Sequence, residues 1–165
     1  MTYATSQVFD TRSTALTAVP SAIAAFKRLS TDDRLGLLWA LYKNLGQSLT
    51  PAAVGVARLQ FAEGLLQQVQ AMSEPDQLQF MRDLVNQKST PETRSYGVLT
   101  NNTKLAFWYQ LAVFMDEGKV IPVPVGYKLS AAAIQVFSQI SKLEFGQQIS
   151  TMRQAVINMG VDPLA

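Results

Sequence analysis

Phe107, Trp108 and Tyr109 stand in an unbroken aromatic run, and Trp39 and Tyr42 form a second aromatic pair three residues apart. Tryptophan and tyrosine offer large polarisable faces with one polar handle each. They can therefore stack on a flat conjugated ligand while an N–H or O–H fixes their orientation. Met115, two turns beyond Trp108, adds a thioether suited to filling irregular gaps. Other chemistry is largely excluded. The absence of cysteine removes disulfides, thiolate metal sites and a thiol nucleophile, and the absence of histidine removes the commonest general base and metal ligand. The residues point to a binder of something apolar, with no metal site and no enzyme. Plain core packing puts aromatics at the same helical spacing, so both readings stand at this point.

The elements that must carry these residues are helices. From Lys104 to Gly118, Leu105, Trp108, Ala112 and Met115 share one face of a 3.6-residue helix. Phe107, Leu111 and Phe114 form a second stripe, and Gln110 and Glu117 mark a narrow polar wedge. Such a helix is predicted to be buried between layers. The earlier aromatic pair belongs to a helix running to about Gly46, where Leu35, Leu38, Trp39 and Tyr42 fall on one face and Leu37 and Leu41 on another. Ser30-Thr31-Asp32-Asp33 ahead of it has capping-box spacing, and its aspartates suit the positive end of a helix.

Elsewhere, residues 1–17 read as an N-terminal arm, and Val19-Pro20 opens a short helix through Phe26 and Leu29. Pro51 is predicted to start one long helix through Val56, Leu59, Leu65 and Val69. Ser73-Glu74-Pro75-Asp76 and Thr90-Pro91-Glu92 carry start signals for two more, the second ending near Gly97 or in the polar cluster Thr100–Thr103. Pro122 and Pro124 impose an extended crossover. Ser130 caps a helix through Ile140, and Gly146 is predicted to separate it from a last helix with Ile149, Met152, Val156 and Ile157. No stretch alternates as a strand does, so the chain reads as all-α. An echo between Gly46–Val54 and Gly126–Ile134 suggests two related helical units whose tryptophan helices meet at a ligand pocket.

Composition agrees with a domain that buries much of itself. The 165 residues are enough for one domain with a sizeable core, 48% are hydrophobic and only 16% charged. No apolar run is long enough to span a bilayer, and the amino end has no basic or apolar leader, which predicts a cytoplasmic protein. The net charge of +2 comes from scattered lysines and arginines, not from a basic stripe, so a nucleic-acid partner is not expected.

Placed together, several motifs resemble the amino-terminal domain of the orange carotenoid protein family over nearly the whole chain. They are VP-x-AIA-x-F-x-x-LS-x-x-D-x-L-x-LLW-x-x-Y at 19–42, QFAE at 60–63, NNTKLAFWYQL at 101–111, VPVGYKLSA at 123–131 and GQQIS-x-x-R at 146–153. The resemblance implies two interleaved, discontinuous four-helix bundles enclosing a carotenoid tunnel. It also implies a ketocarotenoid ligand (canthaxanthin, echinenone or 3'-hydroxyechinenone). Trp39, Tyr42, Trp108 and Tyr109 match aromatics at or beside the pigment's ring, and Leu35, Leu38, Met81, Leu105, Met115 and Val123 match tunnel positions. Leu59 and Pro51 depart from the family's methionine and aliphatic residue. Because the chain stops at Ala165, it resembles the helical carotenoid proteins of cyanobacteria, which lack a carboxy-terminal domain. Asn102 and Arg153 match residues that face that domain, so a separate carboxy-terminal homologue or a phycobilisome is the implied partner. The expected function is non-enzymatic photoprotection by singlet-oxygen quenching. The alternatives are direct quenching of phycobilisome excitation at the thylakoid surface and an unliganded helical interaction module.

Overall fold

In the computed structural model the described residues are 17–45, 56–123 and 126–164, without the side chains of 56–58. The expected arm, the Gly46 stop, the Pro51 start and Pro124 lie outside them, apart from Thr17. The described residues form helix α1 in residues 17–27, α2 Thr31–Leu45, a 3₁₀ segment Val56–Ala62 and α3 Glu63–Ala71. They continue as α4 Glu74–Asn86, α5 Pro91–Gly97, α6 Asn101–Asp116, α7 Ala131–Ser141 and α8 Phe145–Ile157. None of them is in a strand, so the fold is all-α among the described residues.

The caps are largely those the sequence announces. Ser73 and Ser130 accept hydrogen bonds from the backbone N–H of Asp76 and Ala133. Thr90 and Thr93 form a reciprocal capping box. Each satisfies N–H groups that have no partner inside the helix. Ser30 likewise accepts from the Asp33 N–H at 3.2 Å, but the Asp33 carboxylate does not complete a box. It turns instead to the start of α7, taking hydrogen bonds from the Tyr127 hydroxyl (2.7 Å), the Ser130 hydroxyl (2.6 Å) and the Ser130 N–H (3.2 Å). A local cap has become a tertiary tie.

Four boundaries differ from expectation. Helix α1 is already formed at Thr17, ahead of Val19-Pro20. Helix α6 begins at Asn101, because Thr100 caps it by accepting from the Thr103 N–H, so the polar cluster is its first turn. Helix α8 begins at Phe145 and runs through Gly146, where an added Cβ would meet open space. The long helix predicted from Pro51 is 3₁₀ over Val56–Ala62. Leu59 and Ala62 stand three apart there, the period of a 3₁₀ helix, with Leu59 half-buried and Ala62 buried.

Two helices act as centres of packing. Helix α2 contacts α4 and α7, α6 contacts α8 and the 3₁₀ segment, and the two meet along a narrower seam. The apolar circumference of α6 is buried as expected: Ala106, Phe107 and Leu111 are wholly inaccessible, and Leu105, Trp108, Ala112 and Met115 nearly so. Each large apolar side chain buried in this way stabilises the fold by about 1.5–3 kcal/mol. The crossover after α6 is held by Gln77 of α4, itself buried. Its amide donates to the carbonyls of Val69 (3.0 Å) and Lys119 (3.4 Å) and accepts from the Ile121 N–H (2.9 Å). That places Val123 against the body, where it is buried.

Candidate functional site

A narrow apolar cleft runs along the seam between α2 and α6. Leu35, Leu38, Trp39 and Tyr42 line it from α2, and Leu105, Trp108, Tyr109 and Met115 line it from α6, with Val123 entering from the crossover. The two tryptophan helices do meet at a pocket. The spacing of these residues explains the convergence, since each set lies on one face of its helix. Met81 is elsewhere: it is fully buried in the core and does not line the cleft. The cleft gains a third wall that the site residues read from sequence did not include, made by Ile149, Met152 and Val156 of α8, together with Ala112 of α6. Their signal was their i, i+3, i+7 spacing on an amphipathic helix, which marks a buried face without saying what it faces.

The aromatic rings of the cleft fall into two clusters. In one, Trp39 and Tyr42 stack with centroids 5.8 Å apart and planes 21° apart, and Tyr109 meets Tyr42 edge-on at 5.6 Å. All three are half-buried. The Lys43 ammonium sits 5.0 Å from the Trp39 ring centre and pairs with Asp116 at 2.7 Å. Burial, with Tyr109, Asp116 and Glu117 nearby, pushes the Tyr42 phenol above its ordinary pKa.

In the other cluster, Trp108 is buried, and its indole N–H donates to the Tyr96 hydroxyl at 3.0 Å. That hydroxyl in turn donates to the Val156 carbonyl at 2.7 Å. Burial holds the Tyr96 phenol far above its ordinary pKa, so it is neutral and available as a donor. Phe107 packs edge-on against both rings. Lys104, also buried, donates to the Ile157 carbonyl at 2.9 Å, and burial lowers its pKa. A cation there suits the negative end of α8.

Of the two expected partner-facing residues, Asn102 is exposed in the first turn of α6, and Arg153 is half-buried on α8. The buried Arg153 Nε has no hydrogen-bond partner among the described residues. No group of acidic residues among the described ones could hold a metal, and no described helix is long and apolar enough to cross a membrane. The lining suits an uncharged apolar ligand: it is almost wholly apolar, rich in flat rings, and the Trp108 indole N–H is already satisfied.

Comparison with known proteins bears on what such a cleft holds. The family profile described as "Orange carotenoid protein, N-terminal" matches residues 12–162. An orange carotenoid-binding domain-containing protein of Nostoc sp. PCC 7120 is 55% identical over 148 residues, covering 90% of this chain and 86% of that protein. The orange carotenoid-binding protein of Limnospira maxima is 46% identical over 87% of this chain, which spans only 45% of that longer relative. Among solved structures, the orange carotenoid protein of Anabaena (Nostoc) sp. PCC 7120 binding canthaxanthin superposes with a TM-score of 0.82 at 43% identity. That match covers 89% of this chain and 48% of the other. The red carotenoid protein of the same organism binding canthaxanthin gives 0.75 at 36% identity, over 87% and 99% of the two chains. With an all-helical fold, an aromatic apolar cleft and a family match over nearly its full length, the chain belongs to the orange carotenoid protein amino-terminal domain family.

Proposed function

We propose that this chain binds one ketocarotenoid in the cleft between α2, α6 and α8 and serves, without catalysing a reaction, as a photoprotective singlet-oxygen quencher. The observation that carries this reading is the convergence of Trp39, Tyr42, Trp108 and Tyr109 on one apolar cleft. Relatives whose structures are described as binding canthaxanthin make canthaxanthin the first pigment to test, ahead of echinenone and 3'-hydroxyechinenone. The two-bundle arrangement of the family is supported by α2 and α6 each centring its own group of helices.

In this reading the chain holds and shields. Trp108 offers a buried, immobilised indole face, and the Trp39–Tyr42–Tyr109 cluster offers half-buried, adaptable ones. Leu35, Leu38, Leu105, Met115, Val123, Ile149 and Met152 keep water from the rest of the cleft. A bound ketocarotenoid would supply the conjugated polyene that takes up excitation energy and releases it as heat. Asn102 and Arg153 are proposed to serve a partner, either a carboxy-terminal-domain homologue or a phycobilisome. The unpartnered Arg153 Nε is the feature that supports this.

The test is a visible absorption spectrum of the protein purified from a host that makes canthaxanthin. A broad red-shifted band should co-elute with the polypeptide and diminish in Trp108→Ala and Tyr42→Ala. A folded, colourless protein from that host would sink the reading and leave an unliganded helical module.

A further inference from the structure

Tyr96 is the one large ring of α5, a short and otherwise polar helix, yet it is completely inaccessible to solvent. Its hydroxyl is used twice, accepting from the Trp108 indole N–H on α6 and donating to the backbone carbonyl of Val156 on α8. Both of those residues line the cleft, from two different helices, whereas Tyr96 itself does not line it. Resting on the pigment reading above, we propose that Tyr96 is a positioning residue that sets the plane of the Trp108 indole and locks the α6 and α8 walls at a fixed separation.

The argument starts from the inventory of donors. An indole has a single hydrogen-bonding group, its N–H, so a single acceptor decides how the ring is turned about its bond to the backbone. Here that acceptor cannot wander. The Tyr96 ring is packed edge-on against Phe107 at 5.4 Å, and the Lys104 ammonium lies 5.5 Å from its centre. Gly160, at φ +73°, approaches so closely that an added Cβ would come within 2.6 Å of the Tyr96 ring. The left-handed backbone and the missing side chain at Gly160 together leave room for the phenol. Val156 supplies the second fixed point. Its carbonyl lies in the last turn of α8, where the N–H four residues on, that of Gly160, bonds to the Leu84 carbonyl instead. It accepts the Met159 N–H at 3.3 Å, and the phenol adds a shorter bond at 2.7 Å. Lys104 meets the next carbonyl, that of Ile157. Two side chains carried by α5 and α6 thus close the end of α8, and Tyr96 is the member that reaches the cleft through Trp108. A ring face held at a fixed angle gives a stacked polyene one orientation, which sharpens its absorption band.

The experiment compares Tyr96→Phe with the parent protein, with and without canthaxanthin. The chain has only Trp39 and Trp108, so Trp39→Phe assigns their indole N–H signals in a nitrogen-15 NMR spectrum. In the pigment-free parent the Trp108 N–H should exchange with solvent at least tenfold more slowly than that of Trp39; equal rates would overturn the proposal without any substitution at Tyr96. In Tyr96→Phe the Trp108 signal should move upfield while that of Trp39 stays, and the bound pigment's band should broaden or shift. That spectral change should disappear when both chains also carry Trp108→Phe, because the phenol then has no indole to direct. A Tyr96→Phe protein that melts earlier but leaves the Trp108 signal and the pigment band unchanged would show a merely structural tyrosine. A parent protein that takes up no pigment would refute the function proposed above, while the two indole measurements would still decide the role of Tyr96 towards Trp108.

Discussion

The two tryptophans of the cleft are the same residue in opposite circumstances. Trp108 lies in dry surroundings with its N–H bonded and its ring held edge-on by Phe107. Trp39 is half-buried, leans on Tyr42 and is covered by a lysine that is itself half in solvent. A hydrogen bond made away from water tolerates little angular error, whereas stacking and cation–π contact are shallow and adjust. One tryptophan of the cleft is therefore fixed before anything binds, and the other can adapt. The helices that carry the two rings are tied down differently as well. Helix α6 is tied through a neutral phenol, Tyr96, and α2 through an ionised carboxylate, Asp33.

The sharpest way to break this comparison is to remove each ring in turn. Trp108→Ala should destabilise the protein by about 3–5 kcal/mol, the usual range for a large buried aromatic. Trp39→Ala should lose only about 1–2 kcal/mol, since part of its surface stays in water. Urea unfolding of the two variants measures both, and equal losses would dissolve the distinction between a fixed and an adaptable ring. Next comes Asp33→Asn, which keeps the shape but removes the charge that three donors face. A loss of about 1.5–3 kcal/mol is expected from weakened charge-assisted bonds.

Acidity and alkalinity should separate the two ties without mutation. Burial raises the Asp33 pKa, but the bonds from Ser130, Tyr127 and Ser30 outweigh it and leave the carboxyl below its ordinary 3.8. A depressed folded pKa stabilises above the unfolded value, so this contribution is full above about pH 4 and is lost as pH falls through the lower folded value. Tyr96 has the opposite sign. Its phenol is raised well above 10.0 by burial, so the unfolded chain ionises first and stability falls as pH rises past that value. Thermal unfolding across pH should show Asp33→Asn flattening the acid limb and Tyr96→Phe flattening the alkaline limb. The reverse assignment would show that the ties have been misidentified. The smallest effect belongs to Lys43→Ala, whose exposed pairing with Asp116 is worth at most about 1 kcal/mol and should vanish in high salt.

Much of this was legible from residue type and spacing, and the parts that were not share a cause. Ser73, Thr90 and Ser130 act within four residues of themselves, so their caps could be read directly. The apolar circumference of α6 forced burial wherever the helix went. Asp33 has the local signature of a capping box, yet its carboxylate goes to Tyr127 and Ser130, nearly a hundred residues away, where three donors offer more than one backbone N–H. Gly146 looks like a break, but a glycine with empty space around it passes into a first turn when Glu144 and Gln147 supply the box. The α8 wall was seen as a buried face without an address. Met81 was assigned to the tunnel through the family's pattern, and the fold buries it away from the cleft. Tyr96 had no periodic neighbours to announce it, because its partners come from two other helices.

Gln77 answers a difficulty that all-helical proteins with an extended crossing share. A straight segment exposes alternating N–H and C=O groups, and such an edge invites pairing with another chain. By donating to the Lys119 carbonyl and accepting from the Ile121 N–H, one glutamine amide reproduces the pair of bonds a neighbouring strand would make. The crossover thus has a side chain as its hydrogen-bonding partner. Replacing Gln77 with leucine would leave the Lys119 carbonyl and the Ile121 N–H without that partner, and the variant's characteristic failure should be concentration-dependent self-association.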